Sequence, residues 1–146
     1  MYDRILLPTD GSPGTVAAAE HAGALAKAFD GTVHVLSVAD TRNRFESPTS
    51  GLAPGIWLSG ERERAGEAIE QAVAALPDDV AIERVQREGL PRSEIVDYAE
   101  EAGVDVVVMG THGRTGIDHY LLGSVAERVV RTCPVPVVTV PIEDEE

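Results

Sequence analysis

Residues Val104–Met109 (VDVVVM) form a nearly continuous apolar run that ends at Gly110. A strand with one wet face alternates apolar and polar residues. A run that is apolar at almost every position needs cover on both faces. Such cover comes from helices packed on each side of a mostly parallel sheet, so this run points to an α/β fold.

The rest of the chain supplies the alternation such a sheet requires. Arg4–Pro8 (RILLP) reads as a first strand, ended by Thr9-Asp10-Gly11. Ser12 and Pro13 read as an N-cap and a first helical proline. The Ala-rich helix they open runs to Phe29 and stops at Asp30-Gly31. Thr32–Val38, rich in β-branched residues, is a second strand. Asp40–Pro54 shows no periodicity and reads as a long loop. A second helix covers Ile56–Leu76, with Ala65, Ile69, Ala72, Val73 and Leu76 on one stripe. Val80–Gln86 is a half-exposed third strand. Pro91 opens a third helix with Ile95, Val96, Ala99 and Ala102 on one face, and Gly103 ends it. Val104–Met109 is the fourth strand. Val125–Arg131 is a fourth helix, with Ala126, Val129 and Val130 on one face and Cys133 continuing it as a packing residue. Val135–Val140 is the last strand, before Pro141 and the acidic residues Glu143–Glu146.

With 146 residues the chain is expected to be a single domain, residues 1–146. Five strands suit a doubly wound parallel sheet of order 3-2-1-4-5 with helices on both faces. In that order the connections leave strands 1 and 4 in opposite directions, and a crevice opens at their carboxyl ends. The loops that follow are Thr9-Asp10-Gly11 and Gly110-Thr111-His112-Gly113, so topology alone selects them as a candidate site.

The second loop continues through Arg114 to Gly123-Ser124 at a helix start, a spacing of G-x2-G-x9-G-S. Glycines at a strand exit let backbone approach a ligand. A helix N-terminus offers N–H groups to phosphate. Two readings need no ligand: the glycines shape a turn, and Ser124-Val125-Ala126-Glu127 is a capping box. Asp10 before Gly11 is also a turn signal.

Val107–Ser124 (VVMGTHGRTGIDHYLLGS) resembles the nucleotide-binding signature of the universal stress protein family. Pro8-Thr9-Asp10-Gly11-Ser12 and Cys133-Pro134-Val135-Pro136-Val137-Val138 are similar to the same family, in the same order along the chain. The resemblance implies the fold deduced above and membership of the ATP-binding branch. It implies a phosphate cradle from Gly110, Gly113, Arg114, Gly123, Ser124 and Val125. It sets Pro8 and Thr9 beside the ligand and Asp10 near ribose, phosphate and metal. Val38 would line the adenine pocket and Met109 its edge. Arg114 would supply positive charge, or else is a solvated loop residue. A triphosphate on so acidic a chain calls for Mg²⁺, which binds through a carboxylate or two plus phosphate oxygens; Asp10 is the expected ligand. The resemblance also implies a homodimer formed through the last strand, where Pro136 favours an edge.

Charge narrows the partners. Lys plus Arg total 12 against 25 Asp plus Glu, a net −13. That balance argues against nucleic acid, which needs clustered cations, and against an anionic membrane surface. No apolar run reaches membrane length and the N-terminus does not read as a signal peptide. The single cysteine, Cys133, suits a cytoplasmic location. Lys27 is the only lysine, and many acids with almost no lysine resemble a halophilic composition, in which molar salt screens the repulsion; the other reading is an ordinary acidic cytosolic protein.

Other chemistries find no support. There is no P-loop, no G-x-G-x-x-G, no G-x-S-x-G and no H-x-G-H. His112 and His119 match no zinc spacing. His34 and His21 read as structural. Three functions stay open: an ATP-binding regulator of the stress response, a slow ATPase or self-phosphorylating enzyme, and a structural dimer partner without nucleotide. No catalytic residue is expected.

Overall fold

The computed structural model describes residues 1–41, 54–111 and 123–141. Nine elements follow in order: β1 (Arg4–Pro8), α1 (Thr15–Phe29), β2 (Thr32–Asp40), α2 (Pro54–Ala75), β3 (Ala81–Gly89), α3 (Pro91–Glu101), β4 (Val106–Gly110), α4 (Ser124–Thr132) and β5 (Val137–Val140). The strands form one five-stranded sheet of order β3-β2-β1-β4-β5, the expected doubly wound arrangement. Every pairing is parallel.

Successive strand residues point to opposite faces, and each face has its own core. Ile5, Leu7, Val33, Val35, Val106 and Val108 pack with Ala18, Ala19 and Ala22 of α1 and Ile69 and Ala72 of α2. Leu6, Leu36, Val38, Val107 and Met109 pack with Ile95, Tyr98 and Ala99 of α3 and Ala126 and Val129 of α4. Val106, Val107 and Val108 are therefore all buried, which is why their run lacks alternation. The alanines of α1 let that helix lie close to the sheet.

Several boundaries differ from the sequence expectation, each for a local reason. Ser12 does not cap α1. Its carbonyl accepts the Thr15 N–H at 3.0 Å, so Pro13 and Gly14 occupy a turn, and Gly14 takes the cap position without a side-chain bond. β2 and β3 both run longer than expected, because their register continues unbroken from Thr32↔Ala81 to Asp40↔Gly89. The pairing carries the charged end of β3, Arg87 and Glu88, into the sheet despite its polarity. β4 starts at Val106; Val104 packs before it, and the Asp105 N–H donates to the Arg4 carbonyl at 2.8 Å. α3 opens on Pro91 as expected, and Gly103, at φ +66°, follows its end. β5 is confined to four residues, yet the Pro136 carbonyl already accepts the Val107 N–H at 2.9 Å. Cys133 closes α4 half-buried against the second core.

Candidate functional site

The β1 exit is built by short-range bonds. The Thr9 N–H donates to the Leu36 carbonyl at 2.9 Å, extending the β1–β2 ladder one residue past Pro8. The Ser37 hydroxyl donates to the Thr9 carbonyl at 2.7 Å. The Thr9 and Thr15 hydroxyls lie 2.9 Å apart, tying the loop to the first residue of α1. Gly11 takes φ +79°, a conformation glycine adopts without steric cost. Its N–H points to the Thr9 hydroxyl at 3.3 Å, and the Ser12 N–H donates to Asp10 Oδ1 at 3.0 Å. Asp10 is thus a turn former here. Pro8 is buried, while Thr9 and Asp10 are half-exposed at the sheet's edge.

The β4 exit lies against this loop. A methyl placed on Gly110 would stand 3.6 Å from the Gly14 carbonyl oxygen, so the backbones of the two exits are neighbours. The Thr111 N–H donates to the Val140 carbonyl at 3.1 Å, and the Gly123 N–H donates to the Thr111 carbonyl. That last bond brings the start of α4 back to the end of β4. The alternative reading, a capping box, is not formed: Ser124 is the first helical residue, Gly123 is the extended cap, and among the described residues no side chain caps the helix. Gly123 takes that position because its N–H is held by Thr111. Among the described residues the first-turn N–H groups of α4 therefore have no side-chain cap, and they sit at the positive end of the helix dipole. Ser124 is exposed and Val125 half-buried. Val38 and Met109 are 8% and 5% exposed and belong to the second core.

Gly113, Arg114, His112 and His119 lie outside the described residues, as does most of Asp40–Pro54. The structure sets Gly110 beside Gly14 at the end of the β1 exit loop and Gly123 beside Thr111. It also adds residues the sequence did not suggest. Arg64 of α2 donates from Nη1 to the Asp10 carbonyl at 3.4 Å and from Nη2 to Glu61 Oε1 at 2.6 Å. Glu61 is buried and accepts the Asp40 N–H at 3.1 Å. The signal available in the sequence was Glu61 three residues before Arg64, a helical pair spacing, although nothing there indicated burial.

His34 is structural, as expected. Its Nδ1 lies 2.7 Å from the buried Tyr98 hydroxyl. Burial pushes its pKa below the usual value, Arg4 adds to the effect and Glu83 opposes it. Among the described residues no group of three or more His, Cys, Asp or Glu is placed to hold a metal ion, and no helix is long and apolar enough to cross a membrane.

Comparison with known proteins identifies the family and the fold. The sequence model of the family described as "Universal stress protein family" matches residues 1–141. Universal stress protein MJ0531 of Methanocaldococcus jannaschii is 41% identical over 148 residues, covering 97% of this chain and 84% of that protein. Among solved structures, that of protein MJ0577 superposes with a TM-score of 0.84 at 32% identity, covering 99% of each chain. A universal stress protein crystallised in complex with cAMP superposes with a TM-score of 0.66 at 26% identity, covering 97% of this chain and 98% of that one.

Proposed function

Because the chain belongs to the universal stress protein family, we propose that it is a single nucleotide-binding domain that holds ATP and acts as a dimeric regulator of the stress response. The ligand lies in the crevice between the β1 and β4 exits. The observation that carries this reading is the start of α4, which no side chain caps among the described residues and which Gly123 ties to the end of β4. Phosphate is a natural occupant of such an end. A similar fold crystallised with cAMP, an adenine nucleotide, supports the choice of ligand.

In this reading Gly110, Gly113, Arg114, Gly123, Ser124 and Val125 cradle the phosphates. Pro8, Thr9 and Asp10 flank the ribose, and Val38 and Met109 floor the adenine site. Backbone N–H groups suit a chain of net charge −13, because they attract an anion without adding side-chain cations. Mg²⁺ would neutralise part of the triphosphate's charge. It keeps several waters and takes one or two carboxylates plus phosphate oxygens, so the single carboxylate of Asp10 fits its needs.

Dimerisation through β5 is supported by the contrast between the sheet's two edges. β3 presents charged residues paired to helices, with Arg84 Nε 2.8 Å from Glu70 Oε2 and Arg87 Nη2 2.7 Å from Glu101 Oε1. Such an edge resists pairing. β5 instead carries Val137, Val138 and Val140, with Pro136 before it. We place the protein in the cytoplasm of a halophilic cell, on its single cysteine and acid-rich, lysine-poor composition.

The test is to purify the protein in high salt, denature it and identify released nucleotide, then to incubate it with Mg-ATP and follow ADP. Released or bound ATP without turnover supports the regulator. ADP formation abolished by Gly113→Val indicates an enzyme. No nucleotide and no measurable affinity would leave a structural dimer partner.

A further inference from the structure

We propose that Arg64 is a positioning residue for the nucleotide loop, holding Asp10 in place through a relay that starts at the end of β2. This inference rests on the reading that Asp10 flanks a nucleotide. The relay is continuous across three elements. The Asp40 N–H, at the last residue of β2, donates to Glu61 Oε1 at 3.1 Å. Arg64 grips Glu61 with two nitrogens, Nη2 to Oε1 at 2.6 Å and Nε to Oε2 at 3.3 Å. Its remaining terminal nitrogen, Nη1, donates to the Asp10 carbonyl at 3.4 Å.

The geometry suits arginine and no other residue. A planar guanidinium offers five N–H groups in a fixed fork, so two nitrogens can bind one carboxylate while a third reaches elsewhere. Glu61 is 7% exposed, so its charge is anchored among protein groups. Gly11 is held against the same helix: a methyl on it would stand 3.5 Å from the Ala68 Cβ and from Gln71 Oε1. α2 thus forms one wall of the loop, and Arg64 is the point where that wall bonds to the loop backbone. The Arg64 contact falls on a carbonyl and leaves the Asp10 carboxylate oriented by its own turn with Ser12. Arg64 therefore acts on the ligand through the loop.

The test is hydrogen exchange at the Gly11 and Ser12 amides of the full chain without nucleotide, followed by ATP titration. Arg64→Gln is expected to speed exchange at these two amides about tenfold, the loss of one charge-assisted hydrogen bond, with the Leu6 and Leu7 amides unchanged. ATP affinity falls with it, and Asp10→Ala with Arg64→Gln loses no more affinity than Asp10→Ala alone. Arg64→Lys keeps the charge without the fork and is expected to behave like Arg64→Gln. Unchanged exchange in Arg64→Gln, or wild-type exchange in Arg64→Lys, overturns the proposal. If wild-type protein binds no ATP, the nucleotide reading fails, while the exchange measurement still decides whether Arg64 positions the loop.

Discussion

The hydroxyls of Thr9 and Thr15 meet at 2.9 Å, and this contact closes the β1–α1 connection into a fixed loop. Thr9 leaves the sheet and Thr15 starts the helix, so this bond ties together the two ends of the segment Asp10, Gly11 and Ser12, beside the bonds within it and from Arg64. Thr15 is 7% exposed. Thr15→Val keeps the shape and removes the hydroxyl. It is expected to lower unfolding free energy by about 1 kcal/mol, the usual net value of one such bond. Urea denaturation checks this; unchanged stability would mean the contact does not hold the loop.

Glycine positions predict opposite outcomes. A methyl on Gly31 would collide with the Tyr2 carbonyl oxygen and stand 3.1 Å from that of Asp3. These are backbone atoms and cannot swing away. Gly31→Ala should destabilise by about 1–3 kcal/mol, the range for overpacking. Gly60, in α2, has nothing among the described residues within 4 Å of such a methyl. Gly60→Ala should stabilise by about 0.5–1 kcal/mol through helix propensity. Thermal melts of the two variants should move in opposite directions.

His34 gives the protein a pH dependence near neutrality. Its register partners are Leu6 on one side and Glu83 on the other, and Tyr98 contacts it from α3. Burial, with Arg4, lowers its folded pKa, and Glu83 only partly offsets this. A lowered folded pKa means the unfolded chain takes up the proton first as pH falls. The stability from neutral His34 is therefore complete above about pH 6.5 and is lost as pH drops through the folded value. Glu70, Glu88 and Glu101 also sit below their usual range, held by hydrogen bonds from Arg84, Arg62 and Arg87. Their contributions fall away only in more acidic solution, so the windows separate. His34→Gln should flatten the melting temperature between about pH 7.5 and about pH 5.5. An unchanged slope in that window would exclude His34 as its source.

The sheet was legible because its signal is local. The run Val106-Val107-Val108 declares a strand covered on both faces without reference to any partner. The strand order that sets β1 beside β4 was legible too, since alternating strands and helices imply it. What escaped were features set by distant contacts. The far end of β3, Arg87-Glu88-Gly89, reads as polar loop and is a strand only because β2 pairs with it. Ser124 has the spacing of a cap, and Gly123 takes that role because of a bond to Thr111. Arg64 touches Asp10 across 54 positions, a separation over which sequence spacing carries no information.

Calorimetric titration of Mg-ATP into wild-type and Gly123→Val protein in high salt is the most direct test of the account. Gly123 lies at φ −63° and ψ 157°, extended backbone that valine adopts without strain. The substitution therefore adds bulk at the α4 N-terminus without straining the backbone there. The prediction is saturable binding by the wild type and none by the variant, with circular dichroism showing both proteins folded at the temperature of the titration. Equal ATP affinity in both proteins would contradict a phosphate site at the start of α4.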